Sequence, residues 1–147
     1  MIGVCIVTYN QEQYIAQAIE SVLMQADCGH KIVAYIGNDC STDKTGEICH
    51  DYAKSYPERG IVIDNLHNLG LVGNTMNLLN IMRQDGCNYI AMLDGDDYWC
   101  DNHKLQKQMD YMQQHPEYGL VHTCVDLLFP HKLVSDNRQK VQEGDVS

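Results

Sequence analysis

The sequence has no long apolar segment, which argues against a membrane-spanning protein. None of its stretches approaches the ~18 consecutive apolar residues of a transmembrane helix. Its first residues, 1–7, lack the basic start and the length of a secretory signal peptide. We therefore expect a soluble, cytoplasmic protein.

Basic residues are scarce. The chain has 10 Lys and Arg against 20 Asp and Glu, a net charge of -10, and its basic residues form no cluster. Nucleic acids and anionic membranes repel an acidic surface unless a metal or a local basic patch intervenes. The composition therefore predicts no nucleic-acid partner.

Paired cysteine motifs are also missing. The seven cysteines are an odd number, include no CxxC, and several fall inside apolar runs, so we expect reduced, buried thiols. Cys100 and His103 form one CxxH pair, but a zinc site would need a second pair at a workable spacing. Ordinary packing is the favoured interpretation of this pair.

Glycine-rich phosphate loops are absent as well. Neither GxGxxG nor GxxxxGK(S/T) follows the first apolar run, so a Rossmann dinucleotide site and a P-loop have no support. Any bound phosphate would have to be neutralised in another way.

A cluster of carboxylates follows an apolar run within residues 89–99. Residues 89–93 predict a short buried strand, and Asp94, Asp96 and Asp97 come where the chain must turn, with Gly95 permitting the turn. Carboxylates this close repel one another unless a cation or strong donors share the space. Oxygen ligands of this kind suit Mg²⁺ or Mn²⁺.

This cluster has two other interpretations to consider. Acidic clusters in loops are often solvated turns, and this alternative stays open on residue types alone. An EF-hand calcium loop does not fit, because its fifth and sixth positions would be Tyr98 and Trp99 instead of Asp or Asn and Gly.

Strand and helix patterns alternate along the chain. Strands are predicted at 3–7, 31–37, 61–63, 89–93 and 119–128, and helices at 12–25, from a Ser41 or Thr42 cap to 56, at 71–83 and at 103–115. On the last two helices the core-facing residues are predicted to be Met76, Leu79, Met82, Leu105, Met109 and Met112. The residues after 130 form a polar tail with no clear element.

This alternation predicts a mostly parallel sheet covered on both faces by helices. All strand-to-helix loops of such a sheet lie at its carboxyl edge, so residues 8–10, 38–39, 65–70 and 94–99 should share one rim. A metal on the acidic loop could neutralise phosphates there, Asp39 could accept a hydrogen bond from a base or ribose, and Tyr9 could stack on a ring. The rim therefore suits a nucleoside diphosphate.

Four ordered motifs now show a family resemblance. The segments VCIVTYN at 4–10, NDCSTD at 38–43, NLG at 68–70 and LDGDDYW at 93–99 resemble those of family 2 glycosyltransferases with the GT-A fold, over roughly residues 2–126. The resemblance implies an α/β, Rossmann-like GT-A sheet with helices on both faces.

The resemblance also implies roles for single residues. Thr8, Tyr9 and Asn10 match the loop that wraps the base, and Asp39 matches the residue that contacts uracil. Asn68 and Gly70 match a loop near the base and ribose.

The acidic loop matches the DxD pair of the family. Asp94 and Asp96 are the implied metal ligands for Mn²⁺ or Mg²⁺, with Asp94 nearer the ribose or sugar, and Asp97 is implied in the donor site with its role open.

Some positions depart from the family pattern. Asn38 stands where a first Asp is usual, Cys40 where Gly is frequent and Val7 where Pro is common, which leaves the identity of the base less secure than the fold. The family takes its catalytic base from a segment well beyond the DxD loop, and 50 residues follow Asp97. We expect a donor-binding domain at 1–128 and a polar tail at 129–147 that begins an acceptor-binding segment, with the catalytic residue unassigned.

The resemblance implies an inverting glycosyltransferase that moves a sugar from a metal-bound UDP-sugar to a glycan or lipid-linked acceptor. It is compatible with an oligomer and with attachment to the inner face of the membrane through further segments. The alternative is a module that binds a nucleotide sugar without turnover and needs a partner or a further segment. A nucleotidyltransferase is a weaker option, because it normally shows basic residues for a triphosphate.

Overall fold

The computed structural model describes residues 1–129 and 132–135. The chain divides into two compact units, Met1–Met109 and a second that starts at Asp110. The elements are β1 (Ile2–Thr8), α1 (Ile15–Leu23), β2 (Ile32–Asn38), α2 (Thr45–Ser55), β3 (Gly60–Asp64), α3 (Gly70–Gln84), β4 (Tyr89–Asp94), α4 (Lys104–Gln114), β5 (Asp126–Phe129) and β6 (Lys132–Ser135). The domain boundary expected at residue 128 stays a prediction.

Four strands of the first unit form one parallel sheet in the order β3-β2-β1-β4. The register pairs Thr8 of β1 with Asn38 of β2, and Val7 with Asp94 of β4. The carboxyl ends of the strands are therefore level, and the predicted parallel α/β architecture is confirmed.

Strand β1 is the centre of the core and is buried along its whole length. Ile2, Val4 and Ile6 face apolar residues of α1, α2 and α4, while Cys5 and Val7 face α3. A central parallel strand buried on both faces is expected to be a continuous apolar run, as this one is. Helices cover both faces of the sheet, as predicted.

Strand β4 departs from the prediction of a fully buried strand. Leu93 is buried, but Ile90 and Met92 are 45% and 52% exposed. They lie in register with Gly3 and Cys5 of β1, on the face where α3 packs over β1 and β2. Within the described residues β4 is an edge strand, so the outer part of this face has no cover.

The buried face of α3 also differs from the prediction. Asn74, Leu78 and Met82 are its buried residues, whereas Met76 is 52% exposed. The Asn74 side-chain amide donates to the Gly37 carbonyl oxygen at 2.7 Å, which fixes the rotation of the helix about its axis. The periodicity of the apolar residues alone did not include this polar anchor.

The fifth strand is shorter than predicted. It starts at Asp126 and pairs with β6 in an antiparallel ladder, with Asp126 opposite Ser135. Leu120 and Val125, which suggested an earlier start, are 80% and 65% exposed and so bury little surface. Strand β6 lies inside the tail for which no element was predicted; residues 136–147 of that tail lie outside the described residues.

All seven cysteines are free. Cys5, Cys28 and Cys49 are buried, as predicted, but Cys40, Cys100 and Cys124 are exposed. Burial, with a smaller contribution from Asp94, raises the pKa of the Cys5 thiol to about 11. No helix in the described part of the chain is long and apolar enough to cross a membrane.

Candidate functional site

The loops at the carboxyl edge of the sheet surround a cavity of about 410 Å³. This size lies in the range of small-molecule sites, roughly 300–1,000 Å³. The lining residues are Val7, Thr8, Tyr9, Gln11, Asp39, Asn68, Gly70, Leu71, Asn74, Asp94 and Asp96. The loops that were predicted to share a rim therefore do so.

Asp39 is only 2% exposed, and its carboxylate organises the loop before α3. Its Oδ1 accepts hydrogen bonds from the Asn65 side chain and the Leu69 amide, each at 2.8 Å. Its Oδ2 accepts one from the Gly70 amide at 2.9 Å. Because a carboxylate offers about four lone-pair sites, one remains on Oδ2 for a ligand.

Three asparagines form a hydrogen-bonded network next to Asp39. Asn65 donates to Asn74 at 2.9 Å, and Asn77 donates to Asn65 at 2.9 Å. Every buried side-chain nitrogen and oxygen among the described residues has a hydrogen-bond partner. A fully satisfied polar network of this kind holds one geometry, which makes the floor of the cavity rigid.

Residues 10–12 and 41–45 are joined by reciprocal hydrogen bonds, here named the loop clasp. The Asn10 amide donates to Ser41 Oγ at 3.0 Å, and the Thr42 amide donates back to Asn10 Oδ1 at 2.8 Å. The Glu12 side chain accepts from the Lys44 amide at 2.9 Å. The clasp holds the loop after β1 against the loop after β2.

The clasp changes the predicted roles of Ser41, Thr42 and Asn10. Ser41 and Thr42 do not cap α2, which begins at Thr45; the Asp43 carboxylate instead accepts from the Thr45 amide at 2.9 Å. The side-chain oxygen of Asn10 is committed to Thr42, and Asn10 is not among the residues that line the cavity.

The acidic loop turns sharply at the end of β4. The Gly95 amide donates to the Val7 carbonyl at 2.9 Å, and the Asp97 amide donates to the Asp94 carbonyl at 3.0 Å. Burial, together with the charges of Asp96 and Asp94, raises the pKa of the Asp97 carboxyl. The Asp97 carboxylate is therefore close enough to those of Asp94 and Asp96 for their charges to disfavour its ionised form.

The chain after the acidic loop is held by Gln25 at the end of α1. Its side-chain amide donates to the Asp101 carbonyl at 2.9 Å, and its Oε1 accepts from the Leu105 amide at 3.1 Å. The Lys104 ammonium lies 4.4 Å from the centre of the Trp99 ring, and burial lowers its pKa. Both ends of the acidic loop are thus fixed to the core.

The part of the chain that forms the site matches a family of known proteins. The family model described as "Glycosyl transferase family 2" matches residues 3–127. This chain belongs to glycosyl transferase family 2. The loops of its four motifs lie at the carboxyl edge of the sheet, where the alternation of strands and helices predicted them.

Curated relatives match most of this chain. An uncharacterized protein of Mycobacterium tuberculosis is 37% identical over 76% of this chain and 31% of its own length. The dTDP-rhamnosyl transferase RfbG of Shigella flexneri is 32% identical over 70% of this chain and 35% of its own length. The chain thus spans about a third of the length of these relatives.

Solved structures show the same fold. S. aureus TarS in complex with UDP-GlcNAc superimposes with a TM-score of 0.66 at 25% identity, over 78% of this chain and 32% of that one. A mannosyltransferase of Pyrobaculum calidifontis, solved with GDP-Man and Mn²⁺, gives 0.65 at 18% identity over 76% and 32%. The family 2 chain therefore has a GT-A, Rossmann-like fold.

The donor atoms of the acidic loop fit a divalent cation. Asp94 and Asp96 are exposed at the cavity, and their oxygens are the ligands that Mg²⁺ and Mn²⁺ prefer. Among the described residues no group of three or more His, Cys, Asp or Glu side chains is arranged to hold a metal. A cation here would need further ligands from a diphosphate and water, which is the usual arrangement for Mg²⁺.

Most of the predicted site residues line the cavity of this family 2 chain. They are Thr8, Tyr9, Asp39, Asn68, Gly70, Asp94 and Asp96, while Asn10 and Asp97 do not line it. The sequence analysis missed Val7, Gln11, Leu71 and Asn74. Gln11 directly follows the first motif, and this position in the sequence is the signal that could have identified it as a lining residue.

Proposed function

We propose that the cavity binds the nucleoside diphosphate of a UDP-sugar, with Mn²⁺ or Mg²⁺ held by Asp94 and Asp96. One observation carries the proposal: these two carboxylates line the same cavity as Tyr9 and Asp39. No lysine or arginine is among the lining residues. A diphosphate in an acidic cavity of this kind requires a cation to offset its charge.

The base is proposed to be a pyrimidine, with uracil preferred. Asp39 keeps one lone pair on Oδ2 after its three internal hydrogen bonds, and the N3–H of uracil is a donor suited to it. RfbG is named for a dTDP-sugar and TarS was solved with UDP-GlcNAc, and both bases carry this N–H. Tyr9, which is 47% exposed, is placed to stack on the ring.

The proposed reaction is sugar transfer with inversion to a glycan or lipid-linked acceptor, in the cytoplasm or at the inner face of the membrane. A divalent cation supplies charge neutralisation for the departing diphosphate. Asp94 and Asp96 would hold that cation and Asp39 would fix the base, so that the bond to be broken would be held in one place. A carboxylate base for the acceptor hydroxyl is expected outside the cavity described here.

Calorimetry with UDP, with Mn²⁺ and then with excess EDTA, tests this proposal. We expect binding only with the metal, and Asp96→Ala should weaken it by about 1–3 kcal/mol, because a charged partner is lost. Asp51→Ala is the matched control, since this exposed carboxylate on α2 does not line the cavity. Equal affinity for UDP with and without EDTA would show that UDP binding does not require the metal.

A further inference from the structure

The cavity has few uncommitted N–H donors. Asn74 donates to the Gly37 carbonyl at 2.7 Å, and its oxygen accepts from Asn65. Asn68 donates to the Asp39 carbonyl at 3.2 Å, and its oxygen accepts from the Gly70 amide at 3.0 Å. Both side chains therefore use their oxygen and one of their two amide hydrogens to hold the walls of the cavity.

Gln11 differs from these asparagines. Its Oε1 accepts from Thr8 Oγ1 at 2.8 Å, and its backbone amide donates to Thr45 Oγ1 at 2.8 Å. The two hydrogens on Nε2 have no hydrogen-bond partner among the described residues. The side chain is therefore positioned by the protein, while its donor group is left for a ligand.

The absence of a side chain at Gly95 leaves room for the Gln11 carboxamide. A Cβ atom added to Gly95 would collide with Gln11 Oε1 and would lie 2.9 Å from Thr8 Oγ1. The Gln11 carboxamide therefore lies directly against the backbone between Asp94 and Asp96. This is the part of the cavity where negative charge on protein and ligand would be most concentrated.

We propose that Gln11 contacts the donor, with Nε2 donating a hydrogen bond to an oxygen of the diphosphate. This inference rests on the proposed function, because it requires a nucleoside diphosphate in the cavity. A neutral amide donor suits this place: it stabilises a phosphate oxygen without pairing with Asp94 or Asp96 and so leaves both carboxylates available to a cation. A lysine here would compete with that cation.

The test compares UDP and uridine in the presence of Mn²⁺, with calorimetry for UDP and NMR titration for uridine. Gln11→Met removes the donor and keeps the length of the side chain, so UDP affinity should fall about tenfold while uridine affinity stays the same. Gln13→Met is the matched control, because Gln13 is exposed and does not line the cavity. It should leave both affinities unchanged.

Gln11→Glu provides a second variant that keeps the acceptor for Thr8. It should also weaken UDP, while Mn²⁺ binding without nucleotide is retained or strengthened by the added carboxylate. If the unmutated protein binds UDP and both Gln11 variants bind it equally well, or if uridine is weakened as much as UDP, this inference is wrong. If the unmutated protein binds neither ligand, the proposed function itself is wrong.

Discussion

Asp39 has two tasks, because the carboxylate that is proposed to contact uracil also receives three hydrogen bonds from the protein. Asp39→Ala should therefore lower the free energy of unfolding by about 1–3 kcal/mol, in addition to weakening UDP. Asp39→Asn should lose less of both. Urea denaturation together with UDP titration separates the two effects.

Base preference gives an independent check on Asp39. The unmutated protein should bind UDP more tightly than CDP, because N3 of cytosine carries no hydrogen to donate to Asp39, and the Asp39→Asn variant should lose part of this difference. Equal binding of UDP and CDP by the unmutated protein would contradict the assignment of Asp39 to the base.

Asp43 should make the loop clasp sensitive to acid. Burial alone would raise its pKa, but hydrogen bonds from Thr45 and the Glu12 amide outweigh it and lower the pKa below its ordinary 3.8. A lowered carboxyl pKa stabilises the fold above the unfolded-state value, and this stabilisation is lost as the pH falls through the folded-state value. Between about pH 6 and pH 3, Asp43→Asn should lose less stability than the unmutated chain.

Thermal unfolding of both proteins across this pH range measures the effect. The same substitution at Asp51 is the control, because the Asp51 carboxylate takes no part in the clasp. Parallel stability curves for the unmutated chain and Asp43→Asn would show that the carboxylate contributes nothing as an anion.

At the level of single residues, the sequence identified the charged groups of the site better than its neutral ones. Asp39 and Asp94 stand out because a carboxylate directly after a buried apolar strand must be compensated by a hydrogen-bond donor, a cation or a ligand. Gln11 and Asn74 could not be found in this way, since a neutral amide fits equally well on a surface. Only the hydrogen bonds from Thr8 to Gln11 and from Asn74 to Gly37 show that these two are fixed at the cavity.

Among the elements, the acidic loop is closely packed at Gly95. A Cβ at Gly95 would lie 2.8 Å from Thr8 Cβ and would collide with Gln11 Oε1. Gly95→Ala should therefore cost about 1–3 kcal/mol of stability and displace the loop. Chemical denaturation measures the cost, and UDP titration reports the displaced loop.

Gly119→Ala is a suitable comparison, because nothing lies within 4 Å of the position that its Cβ would take. This variant should be close to neutral. If Gly95→Ala were equally neutral and bound UDP normally, the contact between Gln11 and the acidic loop would not constrain the site.

The bounds of β1 and β4 were both predicted to within one residue at each end, but burial was predicted correctly only for β1, which is covered on both faces. Strand β1 is a continuous apolar run and was identified almost to its ends, whereas β4 has the same kind of sequence and is half open. The difference lies in what α3 covers, which local sequence does not encode. The same reason explains Met76, since the rotation of α3 depends on the bond between Asn74 and Gly37.

For the whole molecule, we expect donor binding without efficient transfer. The cavity lies in the unit Met1–Met109, and its carboxylates Asp39, Asp94 and Asp96 all have proposed donor-side roles. A general base must be held within hydrogen-bond reach of the acceptor hydroxyl. The 147-residue chain should therefore bind UDP-sugar with Mn²⁺ but transfer sugar slowly or not at all.

Release of UDP from a UDP-sugar, measured with and without an added glycan acceptor, tests this expectation. Robust acceptor-dependent release would place the base in this chain, and Asp126 would be the first residue to substitute. Binding without acceptor-dependent release is the expected result, and it is also what the alternative of a nucleotide-sugar-binding module requires.

The loop clasp also has a consequence for the order in which the molecule folds. Its hydrogen bonds join residues 31 to 34 positions apart, so each requires the entropy of closing a long loop. Pairing of β1 with β2 closes that loop once for all of them, so we expect the clasp to form after this pairing. The amide hydrogens of residues 10–12 should then exchange with solvent as one group, at a rate that reports how often the clasp opens.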